Sequence, residues 1–200
     1  MITGSRQVSD SNGGHDDPDQ RPLASGHRAS PKGEDELHDN KSSDRIEIRK
    51  AELRDVSRLI EVYRDAYSEV VNLGYRSQAA DANRQMVESW VRSSRVYVAI
   101  LDETIVGTVR LSIDDSNQIV LGRFAVATAY RKRGIGSKLL TDAETRAGND
   151  SYTTIRLHTY AGHPYLPVMY RRRGYRIIEV NSHENRSYDT LTMEKECRRL

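Results

Sequence analysis

Between residue 45 and the C-terminal end the spacing of apolar residues changes repeatedly, and each change marks an element. Ile46-Glu47-Ile48-Arg49 alternates apolar and polar, as a half-buried strand does. Leu53, Val56, Leu59, Ile60, Tyr63, Tyr67, Val70 and Val71 then recur at steps of three and four. That spacing lays them along one core-facing side of a helix, which ends near Asn72-Leu73-Gly74. A shorter helix is expected over 81–92.

The run Val96-Tyr97-Val98-Ala99-Ile100-Leu101 is strand-sized and rich in β-branched residues, and Asp102-Glu103 turns it into a returning strand over 104–113. A second turn at Asp114 to Asn117 leads to a strand over 118–126. Helical spacing resumes after Gly134 with Ile135, Leu139, Ala143 and Ala147, and Gly148-Asn149 stops it. A strand over 153–158 follows, with Ile155 and Leu157 on one face. Pro164 and Pro167 open a short helix that Gly174 ends. Strands over 175–180 and 187–193, joined by the polar loop 181–186, close the chain.

The element order is therefore β α α β β β α β α β β, an α/β (α+β) mixed sheet with helices on both faces rather than a series of βαβ repeats. These elements form one domain over 45–200. Residues 1–44 contain no aromatic residue and only scattered aliphatics such as Ile2, Val8, Leu23 and Leu37. Such a segment buries too little surface to offset its ordering entropy and is read as a disordered polar, acidic extension. It lacks the apolar stretch of a secretion signal, and no apolar run elsewhere reaches the roughly 18 residues of a membrane span. A soluble, cytoplasmic protein without membrane contact is expected.

The chain has 31 Lys and Arg against 29 Asp and Glu; the extension holds 5 and 9 of these, leaving 26 and 20 in the folded part. A modestly basic domain suits a polyanionic ligand, and composition alone does not say which. The lone cysteine, Cys197, rules out an internal disulfide and a paired-cysteine zinc site. No metal is expected.

The chemistry concentrates in Val126-Ala127-Thr128-Ala129-Tyr130-Arg131-Lys132-Arg133-Gly134-Ile135-Gly136-Ser137. Two glycines at the start of a helix let the backbone approach a ligand, while unpaired amides and the helix dipole favour an anion there. Arg131, Lys132 and Arg133 add positive charge, so a phosphate cradle is the natural reading. The spacing is neither that of a P-loop nor that of a Rossmann fingerprint.

Arg131-Lys132-Arg133-Gly134-Ile135-Gly136, the apolar Val126 five residues before it, and Tyr170-Arg171-Arg172-Arg173-Gly174-Tyr175 further on together resemble the GNAT superfamily of acyl-CoA-dependent N-acetyltransferases. The likeness covers about residues 46–196. It implies a mostly antiparallel central sheet and acetyl-CoA as cosubstrate. By this resemblance, Phe124, Ala125 and Val126 present backbone to the acetyl and pantetheine amides. The amides of Arg131, Lys132, Arg133, Gly134, Ile135, Gly136 and Ser137 take the pyrophosphate. Tyr170 protonates the departing thiolate, and an amine attacks the thioester directly, without an acyl-enzyme.

The sequence departs from the family pattern at two places. Val120-Leu121-Gly122-Arg123 carries no acidic residue before the loop, so the base for the amine falls to His158, Asp114, Asp115 or an ordered water. His163-Pro164-Tyr165-Leu166 stands where the family has Asn-x-x-Ala, and His163 is the candidate substitute in coenzyme binding. Tyr67, Tyr75, Trp90 and Tyr165 are candidate walls of an acceptor pocket. Arg171 to Arg173 are read as a solvated helix face.

The acceptor is a primary amine of a small molecule, peptide or protein, and the chain a monomer or homodimer. The competing reading is an acyl-CoA-binding regulator without turnover. Nucleic-acid binding is not expected, because the basic residues lack an interleaved aromatic platform.

Overall fold

The computed structural model describes residues 45–197. The expectation of a disordered extension over 1–44 falls outside them. The elements are β1 Glu47–Lys50, α1 Val56–Asn72, α2 Arg84–Ser93, β2 Arg95–Leu101, β3 Thr104–Ile113, β4 Ile119–Val126, α3 Ile135–Asn149, β5 Thr154–Tyr160, α4 Leu166–Arg172, β6 Arg176–Asn181 and β7 Thr190–Glu196, in the order the sequence indicated. Seven strands form one sheet in the order β1-β2-β3-β4-β5-β7-β6. Every pairing is antiparallel except β4 with β5.

Two apolar layers lie on the two faces. On one, Leu139, Leu140, Ala143 and Ala147 of α3 pack on Leu111, Ile119, Leu121, Ile155, Leu157 and Met193. On the other, Leu59, Val62, Tyr63 and Ala66 of α1, with Val87 and Trp90 of α2, cover Val96, Val98 and Ala125. The buried stripe of α1 is narrower than expected. Leu53 is 46% exposed and Val71 48%. Leu53 belongs to a short 3-10 turn before the helix, so it misses the core-facing side. Helix α2 begins later than the sequence suggested because the Asn83 side chain, not Asp81, accepts the amide of Met86 at 3.0 Å.

Two irregularities shape the centre of the sheet. Strands β4 and β5 pair only at Val120 with Arg156 and Leu121 with Leu157, although β4 runs on to Val126 and β5 to Tyr160. Their C-terminal ends therefore separate. The second is a bulge in β4: Arg110 faces Gly122 across the β3 ladder, whereas Thr108 faces Ala125. The extra residue is accommodated at Arg123, whose φ is 50°. Before the bulge Ile119 and Leu121 point to α3; after it Phe124 and Val126 do, and Ala125 faces α1 and α2.

Candidate active site

Where β4 leaves β5, several predicted residues come together. The side chain of Phe124 lies against the start of α3, and a Cβ added at Gly136 would sit 3.0 Å from Phe124 Cζ and 3.5 Å from Val126 Cγ2. Gly136 thus permits close helix-to-strand contact. Gly134 has a different role: its φ is 80°, and apart from its immediate chain neighbours no atom lies within 4 Å of the position its Cβ would take. It turns the chain into α3 and leaves open space at the helix start.

The helical ladder begins with Lys138 N–H donating to the Gly134 carbonyl at 3.0 Å. The amides of Ile135, Gly136 and Ser137 precede it, on the side where the helix dipole favours an anion. A groove of about 1090 Å³ runs from Gly134, Ser137 and Lys138 along α3 to Ile46 and to Ile48 of β1. The end of β4 is not among its walls, so it borders the loop without reaching the strand gap.

The loop cations divide. The Arg131 guanidinium donates to Glu69 Oε2 at 2.6 Å, the Ala66 carbonyl at 3.0 Å and the Val126 carbonyl at 3.3 Å. It ties the loop to α1, and its charge is already committed to a carboxylate. Lys132 has φ 63° and is exposed, while Arg133 lies over the Tyr130 ring at 5.9 Å. Ile135 is buried. Ser137 Oγ accepts from Arg173 at 3.1 Å, and Arg173 also reaches Thr141 and Glu144. Arg173 therefore clasps α4 to α3, which corrects its reading as part of a solvated face; Arg171 and Arg172 are exposed.

On the opposite side of β4, the Tyr67 hydroxyl of α1 donates to the Phe124 carbonyl at 3.3 Å. Burial pushes the Tyr67 hydroxyl well above its ordinary pKa, with further effects from nearby Tyr170, Arg123, Tyr63 and Tyr160. Tyr170 is buried, meets Tyr175 edge-on at 5.7 Å, and is likewise raised by burial. Both phenols are neutral, and therefore donors, across the physiological range. Tyr67 of α1 and Tyr170 of α4 are near enough to act on each other electrostatically, and Tyr67 bonds β4 directly.

His163 is buried, and its Nδ1 faces the amides of Tyr165 and Leu166 at 3.5 and 3.4 Å, over the first turn of α4. Its Nε2 has no hydrogen-bond partner among the described residues. Burial lowers its pKa, so the ring is neutral at pH 7. His158 is exposed on β5, two residues before Tyr160, with Nδ1 3.2 Å from Thr192 Oγ1. The structure does not bring it into contact with Tyr67 or Tyr170.

Asp114 accepts the amides of Ser116 and Gln118 in the turn before β4. An eight-residue strand, about 3.3 Å per residue, separates that turn from Val126, so Asp114 and Asp115 are too distant to serve as the base. Cys197 is also remote: it follows β7, and burial raises its thiol pKa.

The aromatic residues named from the sequence form two groups. Tyr75 stacks on Tyr160 at 4.4 Å and meets Tyr188 at 5.0 Å, while the Tyr165 hydroxyl donates to Glu69 at 2.9 Å. Trp90 lies apart, beneath Arg123. Tyr160 and Tyr188 were not singled out from the sequence, because their contacts depend on β5 and the 182–189 loop folding over the α1–α2 connection.

A splayed strand pair, an anion-favouring helix start beside it and a neutral phenol over the gap are the features that the resemblance to acyl-CoA-dependent N-acetyltransferases led one to expect. The profile of the Acetyltransferase (GNAT) family matches residues 57–175, and the chain belongs to that family. Among curated relatives it is 32% identical to S-(2-succino)cysteine N-acetyltransferase of Bacillus subtilis, over 72% of this chain and 92% of that one. It is 28% identical to S-alkylcysteine N-acetyltransferase of the same organism, over 65% and 78%. Among solved structures, the PaiA N-acetyltransferase of Thermoplasma acidophilum in complex with coenzyme A superposes with a TM-score of 0.56 at 23% identity, over 76% of this chain and 99% of that one. No helix among the described residues is long and apolar enough to cross a membrane.

Proposed function

We propose that this GNAT acetyltransferase moves the acetyl group of acetyl-CoA onto the amine of a small S-substituted cysteine, in the cytoplasm. The observation that carries the coenzyme assignment is the junction of β4 and α3, where Gly136 packs on Phe124 and Gly134 leaves open space before three amides that precede the helical ladder. The acceptor class is supported by the two cysteine-conjugate acetyltransferases among the relatives.

In this reading the unpaired edge of β4 beyond Leu121 binds the pantetheine arm as an added strand would, and the start of α3 holds the pyrophosphate. The neutral amine attacks the thioester carbonyl carbon. Backbone donors near Val126 stabilise the oxyanion, the carbon–sulfur bond breaks, Tyr170 Oη gives its proton to the leaving thiolate, and the proton that the acylated nitrogen sheds passes through water to restore the Tyr170 hydroxyl. Among the described residues no carboxylate or imidazole hydrogen-bonds Tyr67 or Tyr170, so the ammonium loses its proton to water before attack. His163 supports the start of α4, which carries Tyr170, and the exposed His158 is left outside the reaction.

Steady-state release of coenzyme A thiol is the test, with S-(2-succino)cysteine, S-methylcysteine, spermidine and a lysine peptide offered in turn. The cysteine conjugates are expected to give the highest kcat/KM. Turnover of the polyamine or peptide alone would refute the acceptor class, and thiol release with none of the four would refute the assignment as a cysteine-conjugate transferase.

A further inference from the structure

Beneath α1 and α2 the bulge in β4 has an electrostatic consequence. Regular alternation after Leu121 would turn residue 123 toward the apolar layer under α3. The inserted residue instead carries Arg123 to the other face, where its guanidinium lies 4.6 Å from the centre of the Trp90 ring. Arg110, opposite Gly122 on β3, places its own guanidinium 5.8 Å from the same ring. Two cations therefore share one aromatic residue.

Neither meets a carboxylate among the described residues. Arg123 donates to Gln78 Oε1 at 2.8 Å, and the Arg110 Nε has no hydrogen-bond partner among the described residues. Burial first, then the Arg123 charge, lowers the Arg110 pKa. Around them stand the Tyr63 hydroxyl and Thr108 Oγ1, on residues that are each 0% exposed. Of seven buried side-chain polar atoms without a hydrogen-bond partner of good geometry among the described residues, four are here: Arg110 Nε and Arg123 Nε, and Tyr63 Oη and Thr108 Oγ1, which lie close enough to act on each other. Two half-buried like charges beside unpartnered donors are unfavourable unless an anion joins them.

We infer that Arg110 and Arg123 form the acceptor's carboxylate site, which selects α-amino acids over amines that lack a carboxylate. Arg123 is joined directly to Phe124, and the Cα atoms of neighbouring residues lie about 3.8 Å apart. Both guanidinium charges act on the Tyr67 hydroxyl that bonds the Phe124 carbonyl, so a carboxylate held between them lies near the part of β4 where the amine must arrive. An amine without a carboxylate leaves the two charges uncompensated. A guanidinium pair also offers the forked donors that a carboxylate accepts in parallel. The inference rests on the transferase reading above and deepens it by naming what the acceptor must carry.

The test compares S-methylcysteine with 2-(methylsulfanyl)ethanamine, the same amine without its carboxylate, in the full-length chain. With acetyl-CoA, kcat/KM is expected to favour the amino acid by about 10²-fold, the worth of a charge-assisted pair. In Arg110→Met/Arg123→Met that preference should fall to about threefold, and Arg123→Lys should recover part of it. No preference in the unsubstituted protein, or a preference kept by the folded double variant, would overturn the inference.

Calorimetric titration of both compounds into the coenzyme-loaded, unsubstituted protein and into Arg123→Lys needs neither turnover nor the double variant. If neither amine is acetylated, the transferase reading fails for these acceptors, and this titration still decides the arginines. Binding of the amino acid at least about tenfold tighter, and weakened by Arg123→Lys, supports the site; equal binding of the two compounds overturns it.

Discussion

The hydroxyl of Tyr67 donates to the carbonyl of Phe124 at 3.3 Å, joining the middle of α1 to the point where β4 parts from β5. In the proposed mechanism this contact fixes the strand edge that receives the thioester. Tyr67→Phe removes a neutral hydrogen bond of about 1 kcal/mol, so kcat/KM is expected to fall roughly five- to tenfold. Steady-state kinetics on the two proteins, with circular dichroism to confirm the fold, checks this.

Replacing Tyr170 with Phe removes the proposed proton donor and leaves the packing against Tyr175 in place. General-acid catalysis contributes roughly 10²- to 10⁴-fold, so kcat should drop within that range while coenzyme A still binds. A drop of less than threefold would assign the proton to another group.

The pH profile follows from two facts: the amine must be neutral to attack, and burial holds the Tyr170 proton to well above its ordinary pKa. The rate should therefore rise with pH toward the pKa of the amine, with no descending limb up to about pH 10. Initial rates at fixed saturating acetyl-CoA would show this. A descending limb between neutrality and pH 9 would place an ordinary titrating acid at the site.

Stability at mild acidity should depend on His163. Its folded-state pKa lies below the usual 6.5 because the ring is buried. Below pH 6.5 the unfolded chain therefore binds a proton that the native ring resists, and stability falls as the pH drops toward the folded value; above pH 6.5 the contribution is constant. His163→Gln should flatten the urea-unfolding free energy between about pH 6.5 and 5 relative to the unsubstituted protein.

The two loop glycines should fail differently. Gly134→Ala places a side chain at φ 80° with free space around it, costing about 1 kcal/mol from backbone strain alone. Gly136→Val instead drives atoms into the Phe124 ring, costing about 1 to 3 kcal/mol and displacing the end of β4. Urea denaturation gives both values, and only the second change is expected to disturb β4 amide exchange.

The order of the elements was legible because each has its own apolar period, and the glycine loop was legible because Gly134 and Gly136 sit between a strand and a helix. What the sequence did not reveal depends on contacts across the chain. Arg131 is one of three adjacent cations in sequence, yet Glu69, sixty-two residues earlier, takes its charge. The bulge at Arg123 was invisible because nothing in Val120-Leu121-Gly122-Arg123 marks an inserted residue; only the register against β3 shows it. A single charged residue near the end of an apolar strand was the available signal, and Arg110, alone among the apolar residues of β3, was its companion.

In the proposed mechanism coenzyme A is held where β4 meets α3. Calorimetric titration of coenzyme A into the full-length protein and into Gly136→Val tests it most directly. Saturable binding of one coenzyme per chain is expected, at least about tenfold weaker in the folded variant. Equal affinity in the two proteins, or no binding by the unsubstituted chain, would contradict it.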